Sequence, residues 1–93
     1  MIVVVGPDRP PLLAADADCA AFHVHHVGGD LAAGLAAIGG GLLDDGDALV
    51  GVAWVRATSS APAAAIDGML AYAETQGWLS DDGATIRAHV ETG

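Results

Sequence analysis

The stretch Gly39-Gly40-Gly41-Leu42-Leu43-Asp44-Asp45-Gly46-Asp47-Ala48-Leu49-Val50-Gly51 most limits how this chain can fold. Three glycines approach two leucines, an acidic Gly-containing turn follows, and an apolar run then reaches Trp54. Two apolar runs joined by such a turn specify a β-hairpin. The glycines are not a phosphate cradle, because they lead into a hairpin rather than from a strand into a helix.

Around the hairpin the patterns are mostly short and apolar. Ile2 to Gly6 reads as a buried strand, and Pro7-Asp8-Arg9-Pro10-Pro11 forces a loop after it. Ala48 to Ala57 reads as a strand with Val50, Val52 and Trp54 on one face and Leu49, Gly51, Ala53 and Val55 on the other. Both faces are apolar, so both need a cover: helices for one, a partner subunit for the other. Ser59-Ser60-Ala61-Pro62 opens a helix, with a hydroxyl cap and Pro in the first turn. Ile66, Met69, Leu70 and Ala73 form its apolar stripe, and Gly77 suits its C-terminal end. After a turn at Ser80-Asp81-Asp82-Gly83, Thr85 to Glu91 alternates, with Ile86, Ala88 and Val90 inward.

Asp16 to Gly34 admits two readings. A helix capped by Asp16 places Cys19, Phe22, His23 and His26 on one stripe and turns His25 away. A strand from Ala20 to Val27 places Phe22, Val24 and His26 on one face and His23 and His25 on the other. Gly28-Gly29 opposes one long helix, and Val24 and Val27 favour a strand. Short connections favour the helix, giving β-α-β-β-α-β, an α+β fold with a four-stranded antiparallel sheet. The helix is the reading taken.

Ninety-three residues make one small domain, residues 1–93, which buries only roughly 60–65% of its unfolded surface. Self-association is a common remedy for so small a core, and a homodimer is expected. The net charge is −9, from twelve acids against Arg9, Arg56 and Arg87. Such a surface repels phosphate backbones and anionic lipid, so no nucleic-acid or membrane partner is expected. No apolar run reaches the ~18 residues of a membrane span. Ile-Val-Val-Val directly after Met1 lacks a basic n-region and a cleavage pattern, so a cytoplasmic location is expected. Cys19 is alone, which excludes an intrachain disulfide, and reads as a small buried hydrophobe.

Chemistry rests on four histidines, three of them within Phe22-His23-Val24-His25-His26. An imidazole titrates near neutrality, so His26 in a pocket suits a general acid or base. His23 would line the same pocket, and His25 would face solvent. Trp54 and Trp78 read as packing residues, either of which could wall an apolar ligand pocket. The rival is metal binding. On a strand His23 and His25 face one way, on a helix His23 and His26 do, and a third ligand would come from His89 or an acid distant in sequence.

Several of these features together resemble the YCII-related (DGPF) domain family. They are the short first strand with its Pro-containing loop, His26 fifteen positions before Gly41, the Gly41-to-Gly51 hairpin and the helix opened by Ser59/Ser60. Leu42 stands where the family's turn has Pro. The resemblance implies a ferredoxin-like domain that dimerises sheet to sheet into an α+β barrel, with a small-molecule cleft between sheet and helices. It also implies enzymes of lyase or dehalogenase type that use a His-Asp pair without a metal. His26 is then the catalytic acid/base, and His23 stands where the family often has Arg. The family's Asp-Pro is missing here; Glu74-Thr75 is the nearest equivalent, with Asp67 as an alternative. The expected site is thus His26, Glu74 and Asp67 as catalytic residues and His23, Phe22 and Trp54 around the substrate. The expected activity is lyase or isomerase chemistry, without cofactor or metal, on a small cyclic or lactone-like metabolite. The competing expectations are a non-catalytic dimeric binding module of the same fold, or a His-based metal site.

Overall fold

Strand β6 (Thr85–Thr92) is the element from which the architecture is built, because its two halves have different neighbours. Its first half pairs antiparallel with β5 (Ala48–Gly51), in the register Ala48 to Ala88 and Val50 to Ile86. Its second half pairs parallel with β3 (His23–His26), in the register His23 to His89 and His25 to Glu91. Beyond β3 lie β1 (Ile2–Val5), parallel to it, and β2 (Leu12–Ala14), antiparallel to β1. Beyond β5 lies β4 (Gly41–Leu42), its hairpin partner. The computed structural model describes residues 1–14 and 22–92. Among them stand a mixed six-stranded sheet of order β2-β1-β3-β6-β5-β4 and three helices, an α+β architecture.

This replaces the four-stranded antiparallel, ferredoxin-like sheet in three places. First, the His-rich segment is a strand, β3, and helix α1 (Leu31–Ala37) starts only after Gly28 and Gly29, both of which adopt positive φ. Asp30 caps α1, its side chain accepting the Ala33 N–H at 3.1 Å. The expected cap Asp16 and the lone Cys19 lie outside the described residues. Second, the run expected as one strand to Ala57 leaves the sheet at Gly51 and becomes helix α2 (Val52–Thr58). Val52 and Val55 are its buried residues, an i, i+3 spacing that belongs to a helix. A side chain at Gly51 would collide with the Ile38 carbonyl oxygen at the end of α1, so only glycine fits there. Third, β2 extends the sheet at one edge, so that β2 and β3 add two strands to the four expected.

The rest follows the sequence patterns. The Gly41-to-Gly51 hairpin forms, with Gly46 at φ 93° and the Asp45 side chain accepting the Asp47 N–H. Helix α3 (Ala63–Thr75) buries Ile66, Met69 and Ala73, half-buries Leu70, and ends before Gly77 at φ 76°. In β6, Ile86 and Ala88 point inward as expected.

One face of the sheet carries the core. Val3, Val5, Val24, Val50 and Ile86 point to it and pack with Leu35 of α1, Val55 of α2 and Ile66 and Met69 of α3. The opposite face carries Ile2, Val4, His23, His25, Leu49, Arg87, His89 and Glu91 by strand alternation and register. No helix of the described residues packs on that face.

Candidate functional site

The open face is where the titratable side chains gather, and β6 sets their positions. Along one edge of β6, Leu79 bridges to Ile86 and the Trp78 carbonyl accepts the Arg87 N–H at 2.7 Å. Two residues further along the same edge, β3 begins opposite His89. The gap between these neighbours is a crevice of about 240 Å³, lined by Phe22, Trp78, Ala88, Arg87, His89 and Asp47. Phe22 and Trp78 flank it from the two chain segments that meet there. Tyr72 of α3 steadies Trp78 edge-on, with ring centroids 5.9 Å apart.

The polar groups of the crevice form a chain. Arg87 donates from Nε to Asp47 at 2.8 Å and also pairs with Asp45. Asp47, and secondarily Asp45, raises the Arg87 guanidinium further above its already high ordinary value. The other Asp47 oxygen faces His89 Nδ1 at 4.0 Å. Outside the crevice lining, His23 Nε2 separately faces Glu91 at 3.5 Å. Histidine, carboxylate and guanidinium beside two aromatic walls are the groups that bind a small polar molecule and exchange a proton with it.

The residues singled out from the sequence disperse across the molecule. His26 lies on the helix-covered face of β3, opposite to His23 and His25, and its Nε2 donates to the Gly29 carbonyl oxygen at 2.9 Å. It therefore closes the turn into α1. Neither Glu74 nor Asp67 is among its hydrogen-bond or ion-pair partners. Both sit on the solvent side of α3, each one residue beyond a buried position, about 100° away around the helix. Asp67 pairs with Arg56 of α2. Glu74 lines a separate basin of about 550 Å³ with Ser80, Asp81 and Asp82. Trp54 packs half-buried against the core from α2. His23 shares the open face with His25, which is half-buried rather than turned to solvent. Of the expected site residues, the crevice contains Phe22, and His23 lies beside it.

Arg87 and His89, which line the crevice with Phe22, were within reach of the sequence. The alternation of Thr85 to Glu91 already sets Arg87 and His89 on one side, and the strand reading of Ala20 to Val27 sets His23 and His25 together. Joining the two sets required knowing that β3 and β6 are neighbours. Asp47 carried no signal beyond that of a turn residue.

Comparison with protein-family models, with curated proteins and with solved structures found no match.

Proposed function

We propose that this protein binds a small molecule in the Phe22–Trp78 crevice and acts on it by proton transfer, as a lyase or isomerase does. His89 is the acid/base and Asp47 the carboxylate that orients it. The observation that carries this reading is the meeting of two aromatic walls with a His–Asp–Arg chain in one crevice of about 240 Å³. That volume suits a small cyclic acid or lactone rather than a polymer. Proton transfer from a placed histidine contributes roughly 10²–10⁴-fold in rate. Arg87 holds Asp47 in place and offers its remaining N–H groups to an anionic substituent.

The test is an NMR screen of small cyclic carboxylic acids and lactones against the chain. Hits should perturb Phe22, Trp78, Arg87 and His89 together and vanish in Trp78→Ala. For a hit that is turned over, His89→Gln should lower kcat at least about 100-fold and leave Kd within a few-fold. Hits that ignore the crevice, or none from the whole panel, would overturn the proposal.

A second reading, homodimerisation through the same face, is supported by Ile2, Val4 and Leu49. All three are aliphatic, half-buried, and lie on a sheet face that no described helix covers. Sedimentation velocity between 1 and about 100 μM separates the two readings, since a crevice enzyme has no need of a concentration-dependent dimer.

A further inference from the structure

Arg87 is the side chain of fixed positive charge that lines the crevice, and its charge is met twice. Nε donates to Asp47 at 2.8 Å and Nη2 to Asp45. Two carboxylates against one guanidinium leave this cluster with one negative charge in excess. The whole chain is charged in the same sense, at −9. Arg9 and Arg56 do not line the crevice, and Arg56 pairs with Asp67.

A guanidinium has five N–H donors, and these two pairs leave Nη1 without a hydrogen-bond partner among the described residues. The crevice therefore offers N–H donors beside an excess of negative charge. Its walls, Phe22 and Trp78, are aromatic rings whose faces carry partial negative charge. An anionic ligand gains a bond from Nη1 but approaches Asp45, Asp47 and the ring faces. A cationic ligand approaches Arg87 itself, and both carboxylates already hold that guanidinium. An uncharged ring with a carbonyl oxygen meets neither repulsion: the ring lies against the walls and the oxygen accepts from Nη1.

We infer that the crevice selects uncharged cyclic carbonyl compounds, such as lactones and ring esters, over rings that carry a carboxylate or an ammonium group. The inference rests on the proton-transfer reading of the same crevice and narrows its substrate class. It also says which anionic group Arg87 meets. His89 takes a proton from the carbon beside the carbonyl; the C–H electron pair becomes the C=C bond of an enolate, and the carbonyl π pair moves to oxygen. Arg87 donates to that oxyanion. The negative charge formed on oxygen is matched by the proton gained at His89, so the crevice keeps its total charge through the step. Return of the proton to another carbon of the enolate completes an isomerisation. A carboxylate brought in by the ligand has no such match.

The test uses the full chain at pH 7.5 and low salt, with Kd read from the NMR shifts of Phe22 and Trp78. The probes are methyl cyclohexanecarboxylate, cyclohexanecarboxylate, cyclohexylammonium, δ-valerolactone and its ring-opened hydroxy acid. Each neutral probe should bind at least about 5-fold tighter than its anionic counterpart, and the ester at least as tightly as the ammonium. The neutral-over-anion gap should shrink in about 0.5 M NaCl, where charges are screened. Asp45→Asn removes the excess charge and keeps an oxygen for the Asp47 N–H, so there the gap should close to within about 2-fold. Should that variant fold poorly, the salt series on the wild-type chain still decides. Acids or the ammonium binding as tightly as the neutral rings, or a gap that neither salt nor Asp45→Asn reduces, overturns the inference and leaves the crevice reading standing. Probes that all fail to shift Phe22 and Trp78 overturn both.

Discussion

A methyl group added at Gly40 would sit 1.8 Å from the Leu49 carbonyl oxygen, whereas one added at Gly41 meets nothing within 4 Å. The two neighbours thus differ in what they tolerate. Gly40→Ala pushes against backbone that cannot rotate aside, so it should cost about 3 kcal/mol or more. Gly41→Ala should be neutral or add about 0.4–1 kcal/mol by restricting the unfolded chain. Urea denaturation of both variants checks the pair, and equal effects would contradict the close approach. His26 supplies a second case. Its side-chain hydrogen bond to the Gly29 carbonyl gives His26→Ala an expected loss of about 1 kcal/mol, measurable in the same experiment. At this scale the sequence was legible for glycine-dependent turns such as Gly46 and Gly77 and illegible for partners. Nothing in the spacing of Asp67 or Glu74 tells that α3 turns both to solvent.

Elements were legible where periodicity ran long enough to choose a period. Ile66, Met69 and Ala73 in α3 and Ile86 and Ala88 in β6 are such cases. The misreadings fall on runs where both periods fit. Val50-Gly51-Val52-Ala53-Trp54-Val55 alternates, yet Val52 and Val55 also make one helical face, and the strand ends at Gly51, where Ile38 leaves no room for a side chain. In Phe22 to His26 short connections favour a helix and the β preference of Val24 and Val27 favours a strand, and the strand forms over His23–His26. The turn before β6 carries a prediction of its own. The Ser80 hydroxyl, then the Ala84 N–H, holds the Asp82 carboxyl below its ordinary value. A carboxyl lowered on folding adds stability that is complete above its unfolded pKa, near 4, and is lost as the pH falls through its folded value. The difference in stability between pH 7 and pH 2.5 should therefore shrink in Asp82→Asn, and in Ser80→Ala to a lesser degree. An unchanged pH profile in both variants would show that the turn does not contribute to acid sensitivity.

For the whole molecule, the sheet order brings the titratable residues of the open face together, and the sequence could not supply that order. His89 and His23 are 66 positions apart and meet only because β3 pairs with the far half of β6. A domain of 93 residues has about 5–14 kcal/mol of net stability to lose. Its core has few large side chains, among which Leu35 is fully buried between α1 and the sheet. Leu35→Ala should cost about 2–5 kcal/mol, a large part of that total, and lower Tm by roughly 10 °C or more. Leu12 is the matched control: the same residue type, 41% exposed, on the open face of edge strand β2. In a monomer, Leu12→Ala should stay within about 0.5 kcal/mol. If a second copy covers the open face, the Leu12→Ala deficit should instead grow as protein concentration rises from 1 to about 100 μM, because dimer stability depends on concentration. The Leu35→Ala loss should persist at the lowest concentration, since that side chain is enclosed by its own subunit. Calorimetric scans of both variants at the two concentrations therefore measure the intrinsic core and the self-association of the open face separately. A Leu35→Ala variant as stable as Leu12→Ala would contradict the packing of α1 on the sheet.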